Sequence, residues 1–206
     1  TSCDKNVPDF NSLLNSDIKG KKIGIAKEYQ LPNMPFEINN VKEKSIKLLQ
    51  ERGAYIVEIS LPHTQYAPEV YYIIASAECS SNLARYDGIR YGFRCDEKNI
   101  SLEDLYKKSR SLGFGKEVKR RIFTGTYVLS AEFYDAYYKK ALKYRRLIAQ
   151  DFKEAFAKVD AILTPTTPNT AFPINIKEGD NPVGTYLNDA FTIPANLAGL
   201  PAISVP

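Results

Sequence analysis

Two short apolar runs with a helical period between them restrict this chain more than any other feature. Lys22-Ile23-Gly24-Ile25-Ala26 and Ala54-Tyr55-Ile56-Val57-Glu58-Ile59 are strand-like, and Pro62 closes the second. Between them Ile38, Val41, Leu48 and Leu49 recur near the period of a helix across 36–52, with Gly53 as its C-terminal cap. Strand, helix and strand within about 40 residues form a βαβ unit, because parallel neighbours need a crossover rather than a tight turn. The expected class is therefore α/β, with a mixed sheet covered by helices.

The rest of the chain divides by composition. Residues 1–20 are polar, broken by Pro8 and Gly20, and read as a surface lead-in before the βαβ unit at 21–66. A helical segment follows over 67–157. Its first helix, from residue 68, carries Val70, Ile73, Ile74 and Ala77, with a small-residue face at Ala75, Ser76, Ala77, Cys79, Ser80 and Ser81 that would let another element approach closely. Asp87-Gly88 ends it. A short helix over 102–111 has Ser101 as its cap with Asp104 three residues on. Gly113 and Gly115 separate it from a helix at about 116–130 carrying Arg120 and Arg121. The longest pattern, 131–157, steps by three and four through Tyr134, Tyr137, Ala141, Tyr144, Ile148, Phe152 and Ala155. Its other face, with Lys139, Lys140, Lys143, Arg145, Arg146 and Lys153, reads as solvated charge or as a surface for RNA phosphate or an acidic partner.

Residues 158–206 return to the sheet: a strand at Asp160–Pro165, a proline-rich loop at about 165–185, a helical piece at 187–198 and a strand at Ala202–Pro206. The chain reads as one domain and as a segment of a longer protein whose remainder supplies most of the sheet.

Composition excludes several classes. With 206 residues, 44% hydrophobic and 25% charged, the chain is not a disordered one. No run approaches the ~20 apolar residues of a membrane span, and from the polar stretch at Thr1 no signal peptide is expected. A net charge of +4 permits nucleic acid without demanding it. Cys3, Cys79 and Cys95 have no CxxC spacing and His63 stands alone, so neither a disulfide framework nor a metal site is expected. The expected location is the reducing cytoplasm.

No self-contained catalytic set is visible. A Ser-His-Asp triad would have to run through His63, which sits in a strand-exit loop. There is no GxSxG elbow and no P-loop; Gly113-Phe114-Gly115 reads as a turn and Ser80-Ser81 as packing. What remains suits the holding of a substrate. Arg121 can fork onto a carboxylate, Asp189 can pair with an ammonium and Tyr72 can donate a phenolic hydrogen bond, so that together they would recognise a zwitterionic amino acid. Taken singly, they read as a surface arginine, a helix-cap aspartate and a core tyrosine.

Longer strings carry more. Ser60-Leu61-Pro62-His63-Thr64, Tyr71-Tyr72-Ile73-Ile74-Ala75-Ser76-Ala77-Glu78, Ser80-Ser81-Asn82-Leu83 and Asp87-Gly88-Ile89-Arg90-Tyr91-Gly92 belong together with Gly113-Phe114-Gly115-Lys116-Glu117-Val118-Lys119-Arg120-Arg121-Ile122, Tyr134-Asp135-Ala136-Tyr137-Tyr138-Lys139-Lys140-Ala141 and Asn196-Leu197-Ala198-Gly199-Leu200-Pro201. This set resembles the A subunits of the glutamyl-tRNA(Gln) amidotransferases, a branch of the amidase-signature enzymes. The resemblance implies a glutaminase that sends ammonia to a partner, the B subunit. There, ATP and Mg2+ support conversion of Glu-tRNA(Gln) to Gln-tRNA(Gln), and a small C subunit completes the heterotrimer. It implies a Ser–cis-Ser–Lys triad in a signature region N-terminal to this chain. No residue here is assigned as catalytic, and no cofactor is expected in this chain. It also implies that Tyr72 and Arg121 touch the glutamine, Arg121 at its α-carboxylate with Arg120 as the alternative, and that Asp189 binds the α-amino group. The competing readings are another amidase-signature hydrolase of small amides and a non-catalytic RNA-binding or assembly module.

Overall fold

The computed structural model describes residues 4–14, 16–31, 34–171 and 188–205. Strand β1 (Lys22–Ala26) lies at the centre of the sheet. It pairs in parallel with β2 (Tyr55–Ile59) on one side, Ile23 opposite Ile56, and with β3 (Ala161–Ile162) on the other, Ile23 opposite Ala161. Among the described strands all pairing is parallel. β3 is shorter than expected, but hydrogen bonds from Asp160 N to Lys22 O (2.8 Å) and from Leu163 N to Gly24 O (3.0 Å) extend its contact with β1. The Asp160 carboxylate accepts the Lys22 amide at 2.8 Å and fixes the register where the two strands begin.

Helix α1 (Phe36–Glu51) crosses between β1 and β2. It ends where Gly53 adopts φ +84, with Gly53 N donating to Gln50 O (2.9 Å) and Ala54 N to Leu49 O (3.0 Å). This paired closure needs a residue in the left-handed region, which glycine enters without a Cβ penalty.

The helical segment forms as α2 (Ala67–Leu83), α3 (Leu102–Gly113), α4 (Lys116–Val128) and α5 (Lys140–Phe156). Ser101 caps α3 by accepting the Asp104 amide at 3.0 Å. The pattern over 131–157 does not form one uniform α-helix. Tyr134–Lys139 is π-helical and leads into α5. Steps of three and four cannot reveal a widened turn, and here the turn lies among stacked rings, with Tyr127 and Phe133 centred 4.2 Å apart.

The small-residue face of α2 meets α4. A Cβ added at Gly125 would lie 2.0 Å from Ser76 O and 2.6 Å from Ser80 Cβ. The core lies between the sheet, α2 and α5, where Leu61, Ala67, Val70, Ile74, Ile148 and Phe152 are buried together. Short helix α6 (Ile193–Ala198) adds Ile193 and Leu197 to that core, and Arg145 Nε on α5 donates to Leu197 O at 2.9 Å.

Two expectations change at the C-terminal end. Residues 202–205 have no ladder partner among the described residues, and Ile203 and Val205 are exposed, because no described strand lies beside them to complete a ladder. Most of the proline-rich loop expected at 165–185 falls in 172–187, and Cys3 and Pro206 likewise lie outside the described residues.

Candidate functional site

Helix α4 opens on Gly115, and its first turns carry one acid and two bases at helical spacing. Glu117 lies three residues before Arg120 and four before Arg121, so all three share a face. The Glu117 carboxylate accepts from Arg120 Nε (2.7 Å), Arg120 Nη2 (2.6 Å) and Arg121 Nε (3.0 Å). The Arg120 hydrogen bonds are the largest influence; desolvation opposes them, and the Arg121 bond and the charges of both arginines add to them, so that the Glu117 carboxyl comes down from 4.5 to about 2. Both arginines then reach α2. Arg121 Nη1 donates to the Tyr71 hydroxyl at 3.1 Å, which with Glu117 holds its guanidinium firmly protonated. Arg120 Nη1 donates to the Tyr72 hydroxyl, and its guanidinium lies 5.3 Å from the Tyr72 ring centre. Among the described residues the cluster thus sets one acid between two bases, an arrangement able to meet an anion.

Tyr72 and Arg121 are therefore brought to one α2–α4 cluster but through different partners, Tyr72 through Arg120 and Arg121 through Tyr71. Asp189 belongs to a different element, exposed in the turn before α6, where its backbone carbonyl accepts the amides of Thr192 (3.1 Å) and Ile193 (3.0 Å). No hydrogen bond joins it to the arginine–tyrosine cluster among the described residues.

Glu117 is the residue that sequence reading missed. Its signal was present as an acid at both i−3 and i−4 of two adjacent arginines. His63 also has more company than its loop suggested. Its Nδ1 lies 2.9 Å from Asp151 Oδ1, and its backbone amide donates to Asp151 Oδ2 at 2.8 Å. Asp151 is buried on the apolar face of α5. The serine in the same string does not complete a triad, because Ser60 Oγ donates to Glu28. A cavity of about 260 Å³ beside Asp151 is lined by Ser60, Glu154 and Lys158. A second, of about 380 Å³, lies between Tyr29, Met34, Pro68 and Phe191. Burial raises the Tyr29 hydroxyl above its ordinary range. Neither cavity is lined by Tyr72, Arg121 or Asp189. Among the described residues no group of three or more His, Cys, Asp or Glu side chains could hold a metal ion. No helix among them is long and apolar enough to cross a membrane.

The sequence pattern of the amidase family matches residues 1–206. The chain belongs to the amidase family. Among its relatives, the A subunit of the glutamyl-tRNA(Gln) amidotransferase of Pelagibacter ubique is 60% identical over 206 residues, all of this chain and 42% of the relative. The A subunit of the same name from Parvibaculum lavamentivorans is 57% identical, again over all of this chain and 41% of the relative. The amidase-family chain thus spans about two fifths of the length of these relatives. The crystal structure of the Thermotoga maritima A subunit matches 91% of this chain and 35% of its own, with a TM-score of 0.64 and 37% identity. A bacterial aryl acylamidase of the amidase-signature family matches at TM-score 0.62 and 20% identity, covering 93% of this chain and 38% of its own, a likeness of fold.

Proposed function

We propose that this amidase-family chain is the glutamine-holding part of a glutamyl-tRNA(Gln) amidotransferase A subunit. The observation that carries the reading is identity of 57–60% over the full 206 residues with subunits of that name. In this reading the whole subunit hydrolyses glutamine in the cytoplasm. Its ammonia passes to the B subunit, where ATP and Mg2+ support amidation of Glu-tRNA(Gln), and the C subunit completes the assembly. No residue of this chain is assigned to ATP, Mg2+ or the attacking nucleophile.

The local chemistry supports a carboxylate subsite. Arg121 presents a guanidinium anchored at Nε by Glu117 and at Nη1 by Tyr71, while its Nη2 makes no hydrogen bond among the described residues. A free amino acid would place its α-carboxylate there, with the Tyr72 ring and hydroxyl beside it and Asp189 at the α-ammonium. A site that reads both ends of a zwitterion rejects an amide lacking either charge, because its own charges are then left unmatched.

Arg121→Ala in the full-length subunit tests this. Loss of a charge-assisted bond costs about 1.5–3 kcal/mol, so the KM for glutamine rises by about one to two orders of magnitude. An unchanged KM would overturn the subsite and favour the other reading, a small-amide hydrolase with no need of a carboxylate-binding arginine. The 206-residue chain by itself turns over no glutamine; steady ammonia release by the pure chain would refute that.

A further inference from the structure

Two adjacent arginines on one helix pose a problem for any carboxylate subsite. Arg120 and Arg121 differ by one residue, both reach tyrosines on α2, and either could form a fork with an anion. The hydrogen bonds around them are not equivalent. Glu117 takes Arg120 on its whole Nε/Nη2 edge, two parallel bonds at 2.7 and 2.6 Å. That edge is the one arginine uses most readily for bidentate recognition of a carboxylate. From Arg121 the same acid takes only Nε, at 3.0 Å, and leaves the Nη end. Tyr71 accepts from Nη1 at 3.1 Å, which leaves Nη2 without a hydrogen bond among the described residues. The Arg121 side chain is 30% exposed against 43% for Arg120, so the more sheltered guanidinium is the one whose Nη2 is left without a hydrogen bond among the described residues.

We infer that Glu117 is a positioning residue which occupies Arg120 as its resident carboxylate and orients Arg121 to receive the carboxylate of the substrate. This rests on the proposed glutamine subsite and deepens it. An arginine stem has several rotatable bonds, and a guanidinium held at one point swings about it. Held at Nε by Glu117 and at Nη1 by Tyr71, the Arg121 plane has one orientation. Without Glu117 the Arg121 guanidinium keeps one anchor among the described residues, Tyr71 on α2. A substrate carboxylate then finds no fixed register on Arg121. Glu117 does not touch the substrate in this scheme; it acts through Arg121.

The test uses the full-length subunit in its assembled enzyme and two amides, L-glutamine and L-glutaminol, in which CH2OH replaces the α-carboxylate. Wild-type enzyme prefers glutamine. Glu117→Ala and the size-matched Glu117→Gln are expected to lower that kcat/KM preference by about tenfold, the loss of one well-placed charge-assisted bond. The change appears in the KM for glutamine, with kcat and the kinetics of glutaminol little altered. An equal loss on both amides would mean a merely structural role and overturn the inference. So would tighter glutamine binding, which would make Glu117 a competitor rather than a support. Arg121→Ala in parallel separates the two levels. If it abolishes the preference while the Glu117 variants keep it, the positioning role falls and the subsite stands. If it too keeps the preference, the subsite itself falls, and the positioning role with it.

Discussion

Gly125→Ala is the substitution for which the fold makes its sharpest demand. In the interior of an exposed helix, glycine to alanine stabilises by about 1 kcal/mol through backbone entropy. Gly125 is buried in α4 against α2, and the added methyl would lie 2.0 Å from Ser76 O, 2.6 Å from Ser76 C and 2.6 Å from Ser80 Cβ. Two of those three atoms are backbone, so no rotamer change relieves them. The helices must separate locally by about 1 Å or more to reach an ordinary contact, and that gap is felt along the whole α2–α4 seam. Overpacking of this kind costs about 1–3 kcal/mol, and a backbone clash belongs at the upper end, so the net loss is about 2 kcal/mol after the helix gain. For a domain of roughly this size, that lowers Tm by about 4–8 °C. Gly115→Ala is the control. A Cβ there meets nothing within 4 Å, and φ is an ordinary −65, so its effect stays within about 1 kcal/mol. Thermal and urea denaturation of the two variants side by side give the comparison. A Gly125→Ala protein as stable as wild type, or more so, would refute the argument that the missing side chain sets the helix spacing.

Two further outcomes follow from local chemistry. Ser101→Ala removes the acceptor for the Asp104 amide at the start of α3 and should cost about 1 kcal/mol in urea denaturation; no loss would mean that water replaces the cap fully. The Glu117 carboxyl titrates in the folded protein near 2 instead of 4.5, so its contribution to stability is full above pH 4.5 and fades as pH falls toward 2. Carboxyl NMR reads that midpoint directly; a value near 4.5 would mean the arginine bonds do not persist in solution.

The elements legible in the sequence are those decided within a few residues. The βαβ unit followed from period and propensity, the α1 end from Gly53, the α3 start from Ser101, and the small face of α2 from its run of Ala, Ser and Cys. Long-range partners were not legible. Nothing near His63 in the chain announces Asp151, 88 residues away, although an acid amid the Ile148–Phe152–Ala155 stripe of α5 marks a buried charge that must find a donor. The widened turn at Tyr134–Lys139 escaped because its side-chain spacing imitates an α-helix. The arginine, tyrosine and aspartate of the candidate site were singled out by type, but only the structure assigns Tyr71 to Arg121, Tyr72 to Arg120 and Glu117 to both.

Packing and site meet in the same seam. Tyr72 and Ser76 are one turn apart on α2, and Arg121 and Gly125 are one turn apart on α4, so the close approach of the helices occurs one turn beyond the charged cluster on both. The contacts advance in the same sense along the two helices, from Tyr72 with Arg120 to Ser76 with Gly125 to Ser80 with Thr126, the last pair with hydroxyls 3.0 Å apart. A tyrosine hydroxyl on α2 can meet a guanidinium on α4 only if the helix spacing matches the length of the two side chains together. Gly125 sets that spacing. An enlarged residue there would draw Tyr71 away from Arg121 Nη1 as it strains the seam, leaving Glu117 alone to hold the guanidinium. Stability and carboxylate recognition should therefore fail together at Gly125 and separately at Glu117, whose half-exposed side chain carries little of the packing.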